Sequence, residues 1–292
     1  MVNNNENNTN AATMTSAITA KISIKIGIIG GSGLDQDDSI LLNKQLVPVP
    51  ETPFGLPSDP EVVHGTIDGV EVYILGRHGR KHNINPTNVN YRANLWTLHQ
   101  LGVTHILATT AVGSLKESIE PGDLAILDQY IDRTCIRGGR SFYTVAHIPQ
   151  GKPFETRLQQ VLFDSAREAG YTIHPATTAV AIEGPRFSTL AESRLYQAWG
   201  ADLVNMTLVP EVQLASELGL IYASLALVTD YDCWHVDDQL TVSVDCVMKR
   251  LATLSVKAKN VLVRSVTKIK SIDWTNVLEE RQSVAKMAVM VE

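Results

Sequence analysis

LVNMTLVPEVQLASELGLIYASLALVTDYDCW, residues 203–234, predicts a strand, a helix and a second strand in succession. After a short apolar run, Pro210 suits the first turn of a helix that continues through helix-forming residues to Gly219, which is typical of a helix end. The apolar run Leu220–Val228 then predicts a buried strand. This alternation is typical of an α/β protein, in which helices pack on a sheet.

Polar side chains follow both strands of this stretch. Asp230 and Asp232 come just after the second strand, and residues 205–207, Asn-Met-Thr, leave the first strand in the same way. Open α/β sheets bind their ligands beyond the carboxyl ends of strands. If the two strands are parallel neighbours, the acidic pair and the polar cluster face one crevice.

The length of the chain bounds its organisation. Its 292 residues, 44% of them hydrophobic, suffice for one large α/β domain with a substantial core, and two small domains fit less well. Residues 1–20 are rich in Asn and Thr and lack the apolar run of a signal peptide. We therefore expect a disordered tail at 1–20 and a single domain at 21–292.

Charge and cysteine content limit the partners and the location. A net charge of −6 argues against a general polyanion such as nucleic acid, and no segment is long and apolar enough to span a membrane. The three cysteines, Cys135, Cys233 and Cys246, form no CxxC motif, and no metal-ligand spacing occurs. We expect a soluble intracellular protein in the cytoplasm, with the nucleus left open as a second location.

A glycine turn follows the first strand, which is predicted over residues 21–29. Gly30, Gly31 and Gly33 allow a ligand to approach the backbone, and Ser32 adds a hydroxyl donor, a combination that suits phosphate. A plain tight turn is an equal alternative. Gln36 occupies a position where the dinucleotide-binding fingerprint requires glycine, and the Gly-Lys-Ser/Thr of a P-loop is absent.

A basic segment follows a predicted hairpin over residues 62–74. Arg77 and His78 begin a run that continues with Arg80, Lys81 and His82, and an Arg fork matches phosphate geometry while His78 can add a donor. The segment is predicted to hold an anion, with a solvated turn as the alternative. His78 and His82 lack the HExxH context of a metal site.

The rest of the chain continues the alternation of strands and helices. Strands are predicted over residues 103–108, 124–127 and 177–182, and helices over 88–101, within 153–170, over 189–199, over 242–266 and after Trp274, with 128–143 irregular. Phe187 follows the strand at 177–182 and can stack on a flat heterocycle, although a core aromatic beside a turn is an equal alternative.

These strand-end residues together predict an anion site beside a site for a flat, polar heterocycle. A carboxyl group beside a purine could give a proton to N7 while the second acid recognises the exocyclic amine, which favours departure of the base. The bound phosphate would then attack the sugar carbon from the opposite face.

Four segments in order resemble the trimeric purine nucleoside phosphorylase family, and in particular its S-methyl-5'-thioadenosine-cleaving branch. They are GIIGGSGLDQ at 27–36, GRHGRKHNINPTNVNYRANLWTLHQLGVTHILATTAVGSL at 76–115, IEGPRFSTLAES at 182–193 and NMTLVPEVQLASELGLIYASLALVTDYDCW at 205–234. The resemblance, which runs over residues 26–266, implies a single-domain mixed β-sheet surrounded by helices and a homotrimer. It also implies phosphate-dependent cleavage of methylthioadenosine to adenine and 5-methylthioribose 1-phosphate, with phosphate as co-substrate and no metal or organic cofactor.

The resemblance also implies residue roles. The phosphate-binding group is Ser32, Arg77, His78, Thr110, Ala111 through its backbone N–H, and Thr207. The nucleoside group is Met206 at the ribose, Phe187 and Ser188 at the base, Val244 and Val247 at the 5'-methylthio group, and His147 from the neighbouring subunit. Asp230 would serve N7 and Asp232 the purine edge. Relatives that act on 6-oxopurines carry Asn at the position of Asp230, so an acid there implies a 6-aminopurine.

Three features depart from the family pattern. Ser32 replaces a commoner Thr, Leu208 replaces a second hydroxyl residue, and the segment 137–146 is short. We expect them to affect the 5' preference and phosphate affinity without changing the reaction. Two other classes stay open: a sensor that binds the nucleoside without consuming it, against which Asp230 and the anion set argue, and a dinucleotide-dependent oxidoreductase, against which Gln36 argues.

Overall fold

A computed structural model of the chain describes residues 23–30, 40–235 and 242–291. The predicted tail at 1–20 and most of the glycine turn, including Ser32 and Gln36, lie outside the described residues. The strands are β1 (Lys25–Gly30), β2 (Leu42–Pro48), β3 (Glu61–Ile67), β4 (Val70–Gly76), β5 (His105–Ser114), β6 (Leu124–Asp132), β7 (Val145–Ala146), β8 (Ile173–Ala181), β9 (Leu203–Asn205), β10 (Ile221–Asp230) and β11 (Val289–Val291). The helices are α1 (Tyr91–Gln100), α2 (Thr156–Glu168), α3 (Leu190–Ala198), α4 (Leu208–Glu217), α5 (Val244–Lys270) and α6 (Thr275–Ala288).

Nine strands form one mixed sheet in the order β10-β6-β8-β9-β5-β1-β4-β3-β2, and β10 also pairs with β5. This additional pairing closes β5, β10, β6, β8 and β9 into a ring, from which β1, β4, β3 and β2 extend. β7 and β11 form a separate two-stranded sheet. The predicted single-domain mixed sheet surrounded by helices is confirmed.

The two strands of the stretch 203–234 are not parallel neighbours, and that conditional expectation is wrong. β5 lies between them, parallel to β10 and antiparallel to β9. β5 can pair with both β9 and β10 because it continues past its predicted end at Ala108 to Ser114. Since Val204 lies opposite Gly113, the chain that leaves β9 still reaches the middle of β5, and the polar clusters meet.

β10 shows why an apolar run predicts a strand at the centre of a domain. All ten of its residues are buried, and alternate side chains belong to two different apolar clusters. One cluster, which includes Leu225, contains residues of α2 and α5; the other, which includes Ala226, contains residues of α1 and α4. The helices therefore cover both faces of the strand, as its two-residue side-chain period requires.

The predicted hairpin at 62–74 and the six predicted helices, including the one within 203–234, are confirmed, with shifted ends. α3 begins with a capping box between Thr189 and Glu192. Residues 128–132 were predicted to be irregular because their side chains show no apolar alternation. They instead extend β6, since their backbone pairs with β8. Among the helices of the described ranges, none combines the length and apolar character needed to cross a bilayer.

Candidate active site

A cavity of about 440 Å³ lies where β5, β9 and β10 meet two loops and one face of α5. Its size is in the range of small-molecule sites. Eleven residues with predicted roles line it, namely Arg77, His78, Thr110, Ala111, Phe187, Ser188, Met206, Thr207, Asp230, Asp232 and Val247. The structure therefore brings five of the six predicted phosphate-binding residues and the predicted base-binding residues into one cavity.

Three predicted residues are not among those that line the cavity. Ser32 lies outside the described residues. Val244, the first residue of α5, is 69% exposed, and the apolar wall on this side is formed by Val242, Val247, Met248 and Leu251. His147 follows β7 on the exterior and donates its backbone N–H to the Ala288 carbonyl. Its assignment to a neighbouring subunit stays a prediction.

Asp230 ends β10 with its carboxyl group buried, only 2% exposed. One oxygen accepts from the Thr229 hydroxyl at 2.6 Å, and the other accepts from the backbone N–H of Asp232 at 2.8 Å. Burial raises the pKa of Asp230 to about 6, while the two hydrogen bonds act in the opposite direction. A carboxyl group with such a pKa can hold a proton near neutral pH and give it up.

Asp232 lies two residues further on, in a turn where its φ of 51° is in the left-handed region. This conformation turns the side chain back towards the cavity, which Asp232 lines. Its carboxylate accepts a hydrogen bond from the hydroxyl of Ser193 on α3. Burial raises the pKa of Asp232 also, and donation from Ser193 acts against that rise.

Two hydroxyl groups lie at the end of the cavity where the predicted phosphate-binding residues meet, which we call the anion end. The Oγ1 atoms of Thr110 on β5 and Thr207 at the start of α4 are 3.2 Å apart. Asn205 orients this pair: its amide nitrogen donates to the Thr110 hydroxyl, and its Oδ1 accepts the backbone N–H groups of Thr207 at 2.8 Å and Leu208 at 2.6 Å. The arrangement can offer hydroxyl donors to an anion at the beginning of a helix.

Arg77 reaches the cavity, but its charge is already paired. Its Nε and Nη2 atoms donate to the two oxygens of the buried Glu211, and Nη1 donates to the Thr109 carbonyl at 2.9 Å. Burial opposes the cationic form, but the Glu211 carboxylate nevertheless keeps the pKa of Arg77 above its ordinary value. A guanidinium has five N–H groups, so two stay available for a ligand. The predicted Arg fork is thus largely occupied by Glu211, and the charge of Arg77 is neutralised before an anion binds.

His78 also differs from its predicted role as a donor. Its Nδ1 lies 2.8 Å from the Ile84 carbonyl, which can only accept, so Nδ1 carries the proton. Burial and the neighbouring Arg77 lower the pKa of His78 to about 4, and the ring is therefore neutral at pH 7. In a neutral ring the other nitrogen, Nε2, is an acceptor. It can bind a phosphate oxygen that carries hydrogen.

Leu208, which was expected to affect the 5' preference and phosphate affinity, makes no direct contribution to the wall of the cavity. It is 2% exposed, packs in the apolar cluster that contains α1 and α4, and does not line the cavity. The short segment 137–146 contributes differently, through Arg137. The guanidinium of Arg137 donates to the carbonyls of Ile182 and Val209 and to the carboxylate of Glu183, and so links the base wall to the anion end.

Asn205 belongs to the polar cluster predicted at 205–207, but three further supporting residues were not predicted from the sequence: Ser193, Glu211 and Thr229. All three lie within the quoted segments, so their residue types were visible. The partners of Ser193 and Glu211 were not, because 39 residues separate Ser193 from Asp232 and 134 separate Arg77 from Glu211. Only the folded chain shows these pairings.

The sequence of the chain is similar to a known protein family and to named members of it. The family model described as the phosphorylase superfamily matches residues 25–267. The chain is 49% identical over 276 residues to the S-methyl-5'-thioadenosine phosphorylase of Xenopus tropicalis, covering 92% of this chain and 97% of the relative. It is likewise 49% identical over 275 residues to that of Caenorhabditis elegans, covering 92% and 94%.

Solved structures are similar over most of the chain. A methylthioadenosine phosphorylase from Schistosoma mansoni in complex with adenine superposes with a TM-score of 0.86 at 42% identity, covering 91% of this chain and 99% of that one. A mutant of adenosine/methylthioadenosine phosphorylase from the same organism, in complex with methylthioadenosine, gives a TM-score of 0.84 at 41% identity with the same coverage.

Proposed function

Because the chain belongs to the phosphorylase superfamily, and within it to the S-methyl-5'-thioadenosine phosphorylases, we propose that it cleaves S-methyl-5'-thioadenosine with inorganic phosphate. The products are adenine and 5-methylthioribose 1-phosphate, which places the enzyme in purine and methionine salvage. The observation that supports this function best is one cavity with the buried, protonatable Asp230 and the hydroxyl pair of Thr110 and Thr207.

Asp230 supplies the proton for the leaving base. As the bond between the sugar C1' and purine N9 breaks, electrons move into the purine ring, and N7 becomes basic. Asp230 gives its proton to N7, so adenine leaves as a neutral molecule. Burial helps twice: it raises the pKa of Asp230 towards the working pH, and it strengthens the hydrogen bond to N7.

Phosphate is the nucleophile in the same step. One of its oxygens forms a bond to C1' on the face opposite the departing base. The Thr110 and Thr207 hydroxyls, the backbone N–H of Ala111 and the remaining N–H groups of Arg77 donate to its other oxygens, and Ser32 adds a further hydroxyl. Neutral His78 accepts from a protonated phosphate oxygen. In this scheme no metal or organic cofactor takes part.

The remaining residues position the nucleoside. Phe187 packs on the purine, Ser188 lies at its edge, and Met206 contacts the ribose. Asp232 accepts from the exocyclic amine, while Val247 and the apolar residues beside it on α5 surround the 5'-methylthio group.

The proposal includes a homotrimer. His147 of one subunit completes the 5' side of a neighbouring site, where Val247 and Val244 of that site's own subunit form the apolar wall. The exposed position of His147, away from the cavity of its own chain, supports this assignment.

Adenine release tests the proposed function directly. Purified protein is incubated with methylthioadenosine, adenosine or inosine, each with and without inorganic phosphate, and the free base is quantified. We expect phosphate-dependent release that favours methylthioadenosine. Release without phosphate would show a hydrolase, and tight binding of methylthioadenosine without release would show a sensor; either result contradicts the proposal.

A further inference from the structure

Ser193 connects α3 to the acidic end of the cavity. It is completely buried, and its hydroxyl donates to one carboxylate oxygen of Asp232. The sulfur of Cys233 lies 3.0 Å from the same hydroxyl oxygen. The three groups form a continuous hydrogen-bonded chain that ends at Asp232.

The direction of this chain follows from its hydrogens. The Ser193 hydroxyl has a single hydrogen and two neighbours, and an ionised carboxylate can only accept. The hydrogen therefore goes to Asp232, and the Cys233 thiol donates to the Ser193 oxygen. Burial raises the pKa of the Cys233 thiol, so the thiol keeps the proton that it donates.

The Asp232 carboxylate, with the Ser193 hydroxyl donating to it, can act towards a ligand only as a hydrogen-bond acceptor. Asp232 lines the cavity, where burial raises the pKa of its carboxyl group. Hydrogen bonds from Ser193, from the Ser188 hydroxyl and from the Cys233 backbone N–H all lower that pKa and so favour the ionised form, which is an acceptor. An acceptor binds the 6-amino group of adenine and repels the 6-oxo group of hypoxanthine, which is itself an acceptor. A protonated Asp232 would lose this discrimination, because its O–H could donate to the 6-oxo group.

We propose that Ser193 is a positioning residue that strengthens the preference for 6-amino over 6-oxo purines, in addition to the effect of Asp230, by holding Asp232 as a hydrogen-bond acceptor at position 6 of the base. This inference rests on the proposed function for the placement of Asp232 at the purine edge. Ser193 itself does not line the cavity. It acts through Asp232.

The test measures binding of adenine and hypoxanthine by calorimetry to the full-length protein and to Ser193→Ala. Loss of one hydrogen bond to a charged group is expected to lower the ratio of adenine affinity to hypoxanthine affinity by about 10- to 100-fold. Ser265→Ala is the matched control, because Ser265 is also a fully buried helical serine, but its hydroxyl donates to the Val261 carbonyl of α5. That variant should keep the wild-type ratio.

A second variant guards against misfolding of the first. Ser193→Cys keeps nearly the same volume with a weaker donor, so it should lower the ratio in the same direction by a smaller factor. If Ser193→Ala has the circular dichroism of the wild type and its ratio of adenine affinity to hypoxanthine affinity stays within about twofold of the wild-type ratio, Ser193 does not affect the base preference. Loss of even one neutral hydrogen bond should change that ratio by more than about twofold. A purely structural role would lower both affinities together and leave the ratio unchanged.

Binding of the free base requires neither phosphate nor turnover. The experiments can therefore contradict the role of Ser193 without contradicting the phosphorylase function, and the reverse. Phosphate-dependent adenine release together with an unchanged ratio in Ser193→Ala overturns only the role of Ser193. A lowered ratio in a protein that releases no adenine supports Ser193 and overturns the phosphorylase function. Failure of the wild-type protein to prefer adenine overturns the assignment of Asp232 and, with it, this inference.

Discussion

Arg77 and Glu211 form a two-pronged ion pair in the interior of the protein, with Nε–Oε2 and Nη2–Oε1 distances of 2.6 and 2.7 Å. The side chains are 2% and 0% exposed, and the Tyr222 hydroxyl donates a further hydrogen bond to Glu211 at 2.9 Å. The pair joins the chain that leaves β4 to the first turn of α4. It therefore fixes the anion end of the cavity to two elements at once.

Replacement of Glu211 by Ala should strongly destabilise the protein. The guanidinium of Arg77 would stay buried without its counter-charge, and breaking such a pair costs about 3–5 kcal/mol. The measurement is the midpoint of urea denaturation. The control is Asp245→Ala, which removes an exposed ion pair with Lys249 at 2.7 Å in the first turn of α5 and should cost at most about 1 kcal/mol. Equal midpoints for both variants would show that Glu211 does not neutralise Arg77.

The pKa of Asp230 predicts a pH-dependent stability. Because burial raises it from 3.8 to about 6 in the folded protein, the protonated carboxyl favours folding. That contribution is complete below the unfolded pKa and is lost as the pH rises through about 6, and a shift of about two units corresponds to about 3 kcal/mol. Asp230→Asn cannot titrate, so its stability relative to the wild type should increase by up to this amount between pH 4 and pH 7.

Unfolding free energies of both proteins across this pH range give the test. Only the change with pH counts, since any constant effect of the amide cancels. A constant difference between Asp230→Asn and the wild type across this range would contradict the raised pKa of Asp230. In activity assays Asp230→Asn should shift preference towards 6-oxopurine nucleosides, and Asp230→Ala should lose most turnover.

The sequence predicted the cavity because its residues follow strands. Asp230, Thr110 and Phe187 each come at or just after the end of an apolar run, and the carboxyl-end rule for α/β sheets then brings them together. That reasoning succeeded even though the assumed pairing of the two strands in 203–234 was wrong. The ring of five strands still brings the end of β10 and the chain after β9 to the same part of β5.

Charge and protonation could not be predicted in the same way. A run of basic residues predicted an anion site built on an Arg fork and a His donor, but Glu211 neutralises Arg77 and burial keeps His78 neutral. Both effects depend on contacts between distant segments and on depth in the fold, which no local pattern contains. The extension of β6 through residues 128–132 was missed for a related reason: pairing with β8, rather than side-chain alternation, holds it.

The acceptor role of His78 can be tested with His78→Asn. The amide nitrogen of Asn can replace Nδ1–H in the bond to the Ile84 carbonyl, but nothing replaces Nε2. Loss of one hydrogen bond to phosphate should raise the KM for phosphate about tenfold and leave the KM for methylthioadenosine nearly unchanged. Initial rates measured with each substrate varied in turn separate the two constants.

His174→Asn is the matched control for His78→Asn. His174 pairs with Asp123 at 2.8 Å and does not line the cavity, so neither KM should change. If His78→Asn raises both KM values by the same factor, the ring acts on the shape of the site rather than on phosphate.

Gly113→Ala should lower activity through the position of Asp230. The two residues lie opposite each other on β5 and β10, and a methyl group on Gly113 would lie 2.8 Å from Asp230 Oδ1 and 3.2 Å from Asp232 Cβ. The carboxyl group must therefore move, and a displacement of about 1 Å in a catalytic group can cost about 100-fold in rate. We expect a loss of this order in kcat/KM for methylthioadenosine. Gly151→Ala, where an added methyl would have no neighbour within 4 Å, should keep full activity. Full activity of Gly113→Ala with its fold intact would mean that turnover does not depend on the position of Asp230.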